Sequence, residues 1–290
     1  MLVKNESLAE MIGIILGDGR LRWDPVNRHY QLDIILNYID ERDYVFYVKN
    51  YLNSLFKMEP KISRQINEDG TEGKGIYLTI YNKNLVEDLI SLGLMPGNKV
   101  ENQVCVPKWI KSNKAFVIAC LRGLFDTDGS VFPVLKENAI KLNFKNGSFP
   151  LIEDFKEMCE SLKINTSKIS PYEEISEKTG KISITYIIQI QARDQVKKFL
   201  DIVKPMKWIF KKDELLAIVK NPFDYRMQYY TVEDVKIWIS LYKELKSYNA
   251  VRDFLKIETI NPPRIETIRL RIKNFLGENY EEWLNQIKKK

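Results

Sequence analysis

Two aspartates in equivalent places are the residues of this sequence best suited to chemistry. Asp18 and Asp128 each precede a glycine, each closes a stretch of apolar and small residues, and they lie 110 positions apart (128 − 18 = 110). That pattern predicts that both stand at the end of a helix, where the backbone's partial negative charge disfavours a carboxylate by ~0.3–1 kcal/mol. Two such carboxylates brought together also repel, so a compensating cation is expected. A hard divalent ion binds through one or two carboxylates and keeps waters and phosphate oxygens as its other ligands. Such a site suits phosphodiester hydrolysis: the ion polarises the phosphorus–oxygen bond, lowers the pKa of an attacking water and stabilises the leaving oxygen. The expected cofactor is Mg²⁺ or another divalent cation such as Mn²⁺.

Composition removes most other chemistries. A single histidine, His29, argues against histidine-paired nucleophiles and histidine-rich metal sites. Cys105, Cys120 and Cys159 are odd in number and contain no CxxC pair, so reduced core residues are expected rather than disulfides or zinc ligands. No apolar run approaches the ~20 residues of a membrane span. The first residues lack the basic-then-apolar layout of a signal peptide. A cytoplasmic chain without a membrane partner is expected. The net charge of +6 (45 − 39) is compatible with a polyanionic partner.

The aspartates recur because the chain repeats itself. Ala9, Gly13, Asp18 and Gly19 return as Ala119, Gly123, Asp128 and Gly129. The run from Asn53 to Ser63 is echoed from Glu160 to Ser170, and the alternation Ile76, Leu78, Ile80 by Tyr186, Ile188, Ile190. Self-similarity of this kind marks a duplicated unit. Periodicity within each unit reads helix, two strands, helix, two strands, helix, an α+β pattern. In the first unit these fall at 7–17, 19–23, 30–37, 41–56, 61–66, 76–81 and 84–92. The halves are expected at 1–96 and 113–212, joined by a linker at 97–112. A small all-α domain follows at 225–290, with helices near 231–245, 249–256 and 264–276. Its third helix carries Arg264, Arg269 and Arg271, which could enter a major groove as part of a helix-turn-helix or form the solvated face of a plain extension.

The first helix of each repeat places small residues at i, i+4 and i+8: Ala9, Gly13, Gly17 in one, Ala119, Gly123, Thr127 in the other. Such stripes let two backbones approach closely. Packed side by side, the helices would bring Asp18 and Asp128 together. Strand alternation then puts Lys61, Ser63, Gln65, Tyr77, Thr79 and Tyr81 on an open sheet face, opposite Ile62, Leu78 and Ile80. In the second half it exposes Lys168, Ser170, Tyr172, Gln189 and Gln191. Lysines and hydroxyls suit phosphate contacts, and glutamines can read adenine edges.

Residues Met11 to Gly19 and Leu121 to Gly129 resemble the two signature copies of the single-chain LAGLIDADG homing endonucleases. The lead-in from Gly97 to Ile110 is also similar to that family's segment before its second motif. The resemblance covers about residues 7–212. It implies an αββαββα half repeated about a pseudo-twofold axis, a saddle of antiparallel strands, and Asp18 and Asp128 as the metal ligands. Leu16 departs from the pattern at a position that is often acidic, as Asp126 is in the second copy. The family's lysine or amide at the end of the second strand would fall near Asn37 and Lys145. What is implied is a site-specific endonuclease that cuts both strands of a long asymmetric duplex, acting as a monomer and intron-encoded or free-standing, since the chain lacks splicing residues at its ends. The alternative on the same fold is a maturase that binds intron RNA, or a non-cleaving DNA-binding regulator.

Overall fold

Asn5 starts the first helix by accepting the Leu8 N–H at 2.8 Å. This α1 (Glu6–Asp18) is buried on every side from Leu8 to Leu16, so it is a core helix rather than an amphipathic one. There follow β1 (Gly19–Asp24), β2 (His29–Asn37), α2 (Arg42–Phe56), β3 (Lys61–Ile66), β4 (Glu72–Tyr81) and α3 (Lys83–Ser91). The segment read as a linker contains a short helix, α4 (Lys108–Lys111). Then the order repeats: α5 (Lys114–Asp128), β5 (Gly129–Val134), β6 (Ala139–Asn146), α6 (Phe149–Ser161), β7 (Ser170–Ile175), β8 (Ile182–Ile190) and α7 (Arg193–Val203). A further helix, α8 (Met206–Lys220), runs past the expected end of the second half.

The computed structural model describes residues 2–66, 70–134, 137, 139–175, 182–220, 232–258 and 265–289, divided into the units Met1–Val219 and Lys220–Lys290. The first unit has an α+β fold built from two αββαββα copies. Each contains a four-stranded antiparallel sheet, in the orders β1-β2-β4-β3 and β5-β6-β8-β7.

The registers repeat with the sequence. Gly19 pairs with Ile34 and Gly129 with Phe144; Leu32 pairs with Ile80 and Leu142 with Ile190. All four pairs keep the 110-residue offset. Ser63 opposite Tyr77 becomes Ser170 opposite Ile187, because three residues are lost before α6 and the offset at β7 is 107 (170 − 63). One buried face of each sheet supplies Leu32, Ile34, Leu78 and Ile80, or Leu142, Phe144, Ile188 and Ile190, to a core that includes α1 and α5. Ile62 shares the core-side face with Leu78, yet 47% of it is exposed, because β3 is the edge strand of its sheet.

The linker is fastened by a buried carboxylate. Asp154 on α6 accepts the Val106 N–H at 2.6 Å and the Lys111 ammonium at 2.5 Å. Asp154→Ala leaves a buried donor unpaired and is expected to cost about 2 kcal/mol, read as a lower Tm than Glu157→Ala, whose exposed carboxylate contacts the same lysine.

Among the described residues the second unit contains α9 (Val232–Leu245), α10 (Tyr248–Glu258), α11 (Ile265–Leu276) and α12 (Tyr280–Lys289), four α-helices where three were expected. They pack around Val235, Trp238, Val251, Ile268, Ile272 and Tyr280. Arg271 is only 7% exposed, so its expected role as a DNA ligand is corrected: it sits on the face that Ile268 and Ile272 turn inward. Arg269 is exposed, and Arg264 lies outside the described residues. Cys120 and Cys159 are buried, whereas Cys105 is exposed and not the core residue expected.

Candidate active site

α1 and α5 meet more extensively than any other two elements, and glycine is what permits it. A Cβ on Gly13 would fall on the Cys120 carbonyl and 2.9 Å from the Leu124 nitrogen. On Gly123 it would fall on the Glu10 carbonyl and 2.8 Å from the Ile14 nitrogen. Gly17 lies against the Thr127 side chain, and Ala9 and Ala119 are buried. The six small residues singled out in the sequence therefore lie on two helices in backbone contact. Thr127 turns its hydroxyl back to its own helix, donating to the Gly123 and Leu124 carbonyls.

Asp18 is the last residue of α1 and Asp128 the last of α5. Each is followed by a glycine whose N–H returns to the helix, to the Ile15 or Phe125 carbonyl, and whose next residues form the first strand of a sheet. A side chain at Gly19 would sit 2.6 Å from the Ile15 oxygen, and one at Gly129 would fall on the Phe125 ring and carbonyl. The turn from helix to strand thus requires glycine and fixes where the aspartates point.

Their electrostatics show that they converge. Asp18 is pushed up to about 7, first by burial and then by the charge of Asp128, with Lys207 and Lys99 opposing and Glu41 adding. Asp128 is also raised by burial, against Lys99, the Asn146 amide and Lys207. The Lys99 ammonium donates to the Gly17 carbonyl; burial lowers its pKa, and Asp128 and Asp18 oppose that. Lys207 pairs with Glu41 at 2.7 Å and lies 5.3 Å from the centre of the Tyr44 ring. The centre therefore holds two carboxylates between two ammonium groups.

Lys99 and Lys207 were missed in the sequence, although a signal exists. Lys99 follows Asp18 by 81 residues (99 − 18) and Lys207 follows Asp128 by 79 (207 − 128). The drift from 110 to 108 between them hides the match from a fixed-offset comparison. The two residues expected near the strand ends make contacts of their own. Asn37 closes a turn, with Nδ2 donating to Asp40 at 2.7 Å and Oδ1 accepting the Ile39 and Asp40 N–H groups. Lys145 lies over the Tyr172 ring at 4.5 Å, and strand alternation puts it on the face away from Phe144. The neighbouring Asn146 is the amide at the site, donating to Asp128 at 2.7 Å. Its counterpart in the first half is Leu36, so the two aspartates are not equivalent.

Asp126, the acidic residue missing from the first copy, has a structural job. Its carboxylate accepts the first two N–H groups of α8, from Met206 and Lys207, at 2.9 Å each. It thereby satisfies orphan donors of that helix and holds Lys207 beside the aspartates.

Of the residues expected on the open sheet faces, Lys61, Ser63, Gln65, Tyr81, Lys168, Ser170, Tyr172 and Gln191 are exposed, and Tyr77 and Gln189 are partly so. Thr79 is a correction: it is 5% exposed and donates to the buried Asp33 at 2.7 Å, which leaves it no surface to offer a ligand.

Two carboxylates are enough to hold a hard divalent ion whose other ligands are water and phosphate. Among the described residues no group of three or more His, Cys, Asp and Glu forms a closed protein cage. The raised carboxyls give a pH test. Asp18 and Asp126 are both pushed up to about 7 from 3.8, so between those values the folded chain binds more protons than the unfolded one. Stability then falls as pH rises through that window. Metal-free protein should melt lower at pH 8 than at pH 6, and Mg²⁺ should raise the Tm more at pH 8. An Mg²⁺ effect of equal size in Asp18→Asn would contradict the assignment.

Residues 115–204 match the family described as LAGLIDADG-like domain. The match falls on the second copy of the repeat, whose register the first copy shares. Over 226 residues the chain is 29% identical to the Replication factor C small subunit of Methanocaldococcus jannaschii, covering 73% of this chain and 11% of that protein. The chain thus spans about a ninth of that curated relative's length. Solved structures with likeness include I-DmoI in complex with DNA and Ca, at 18% identity and TM-score 0.43, covering 70% of this chain and 93% of that one. The homing endonuclease I-WcaI bound to its DNA recognition sequence gives 14% and 0.43, covering 70% and 83%. Full-length DUF199/WhiA from Thermatoga maritima gives 14% and 0.42, covering 98% and 90%. No helix among the described residues is long and apolar enough to cross a membrane.

Proposed function

We propose that this LAGLIDADG-domain chain is a divalent-metal-dependent endonuclease that cuts both strands of a long, asymmetric DNA duplex. The observation that supports this reading most is the pair Asp18 and Asp128 at the ends of two helices in backbone contact, flanked by Lys99 and Lys207.

The divalent ion, Mg²⁺ or Mn²⁺, supplies Lewis-acid polarisation of the scissile phosphate and an acidified water. Asp18 and Asp128 would hold it, and Asn146 fixes the rotamer of Asp128 by occupying one of its oxygens. Lys99 and Lys207 place positive charge where the phosphate gains negative charge, in a partly desolvated site where such charge is most effective. The open faces of the two sheets present lysines, hydroxyls and amides to backbone and base edges. Because the halves differ in sequence, the preferred duplex is only pseudo-palindromic, and one chain supplies both halves as a monomer.

Lys99→Met and Lys207→Met are each expected to slow cleavage about 10²-fold or more, the usual cost of one preorganised electrostatic group, with smaller effects on duplex binding. Single-turnover rates beside gel-shift affinities would measure this; a loss confined to affinity would make them phosphate anchors instead. For the reading as a whole, a plasmid carrying the DNA from either side of the gene, joined without it, should be linearised in Mg²⁺. Tighter binding to folded RNA than to duplex at matched salt, without linearisation in Mg²⁺ or Mn²⁺, would favour a maturase. Duplex binding without cleavage would favour a regulator.

A further inference from the structure

The open face of the first sheet contains a charged network that the second sheet lacks. Asp33, on β2, has no solvent exposure although it points away from the core-facing Leu32 and Ile34. Its carboxylate accepts from Arg20 Nη2 at 3.1 Å, Gln31 Nε2 at 2.5 Å and Thr79 Oγ1 at 2.7 Å. Arg20 and Thr79 are its direct neighbours across β1 and β4. At the 110-residue offset the same places hold Ser130, Asn143 and Gln189, all neutral, and Ser130 donates to Asn143. An ionised carboxylate is expensive to bury unless it is paired and fully hydrogen-bonded, and here a neutral amide occupies the matching register. The fold therefore does not require the charge.

We propose that Arg20 is a guanine-reading residue of the first half of the DNA site and that Asp33 is its positioning residue. The proposal rests on the duplex-DNA reading above and deepens it. The Arg20 side chain is 40% exposed while its partner carboxylate is 1% exposed, so the guanidinium is anchored from beneath and open from above. Asp33 engages Nη2 alone, and Nε is shielded from water with no hydrogen-bond partner among the described residues. Donors thus remain for a ligand on a side chain whose direction is fixed. The carboxylate also cancels much of the charge that would draw Arg20 to a phosphate, and it leaves the planar fork that matches O6 and N7 of guanine in the major groove. The second half, with serine and asparagine in these places, has no reader at this position, so this particular guanine requirement belongs to one half of the site only.

The test is selection of randomised duplexes by the full chain in EDTA, where binding is read without cleavage, followed by sequencing of the bound pool. Three proteins are compared: wild type, Arg20→Ala, and the double variant R20S/D33N. The double variant installs the second half's own pair and leaves no buried charge uncompensated, so it keeps a folded chain in the comparison if Arg20→Ala destabilises. The expected result is one guanine position, in one half-site, enriched by the wild type and lost in the double variant, with the other half-site unchanged. Replacing that base pair in a selected duplex should weaken wild-type binding about 10- to 100-fold and leave R20S/D33N binding unaffected. Retention of the guanine by R20S/D33N overturns the proposal alone. So does a uniform loss across all sequences with a shallower salt dependence, which marks a phosphate contact. A wild type that enriches no duplex overturns the DNA reading and this proposal with it.

Discussion

Asp18→Asn and Asp128→Asn are each expected to lower DNA cleavage at least ~10³-fold while leaving duplex binding as tight as in the wild type or tighter. A bound divalent ion contributes several kcal/mol of charge stabilisation to phosphoryl chemistry, and ~4 kcal/mol corresponds to that factor in rate. On the proposed reading, an amide in place of either carboxylate would remove both a formal charge and an anionic ligand from an ion held by two protein carboxylates. Binding behaves differently because each aspartate carries a charge repelled by phosphate. At Asp18 the neighbouring Asp128 and simple burial already resist ionisation, so neutralising it relieves the free protein. Single-turnover cleavage and gel-shift titration on the same duplex separate the two effects. Parallel losses in both would mean that the aspartates shape the fold rather than the reaction.

Gly13→Val and Gly123→Val carry the largest expected effects on stability. Ordinary overpacking costs about 1–3 kcal/mol because side chains can give way. Here the obstacle to each new Cβ is the partner helix's backbone, including the Cys120 and Glu10 carbonyls. The helices must separate, and they carry the core of both halves on their other faces. A loss of about 4 kcal/mol is expected, lowering the Tm by roughly 10 °C, and cleavage should fall with it because Asp18 and Asp128 move apart. Gly70→Val is the control: although its φ is +81°, nothing lies near its added Cβ, so only local backbone strain opposes it. Equal melting temperatures for Gly123→Val and Gly70→Val would show that the close approach of the helices is not what holds the unit together.

The frame of the first unit was legible because duplication writes each feature twice. One Asp-Gly after an apolar helix reads as a turn; two of them at one offset, on matching small-residue stripes, specify a helix pair and a convergent site. The strands followed from period-two alternation, and their registers repeat at the same offset. What was hidden depends on tertiary placement. Lys99 lies in an irregular segment after the first unit and Lys207 in the first turn of α8 after the second, where the offset drifts. Asn146 was passed over for Lys145 because a one-residue step on a strand changes faces, and the sequence alone does not fix where β6 ends. Thr79 looked exposed by alternation, yet Asp33 draws it into a buried network, and a buried aspartate on a sheet's open face has no sequence signature. Arg271 did have one: it lies three residues after Ile268 on the same helix face, and its charge obscured that periodicity.

The central claim is tested most directly by cleavage selection from a randomised circular duplex library in Mg²⁺, comparing the wild type with the double variant D18N/D128N. The account predicts that the wild type linearises a recurrent, asymmetric set of sequences, and that neither the double variant nor the wild type in EDTA linearises any. Specific enrichment of bound duplex with no wild-type cleavage in Mg²⁺ or Mn²⁺, or equal cleavage by the double variant, would contradict it.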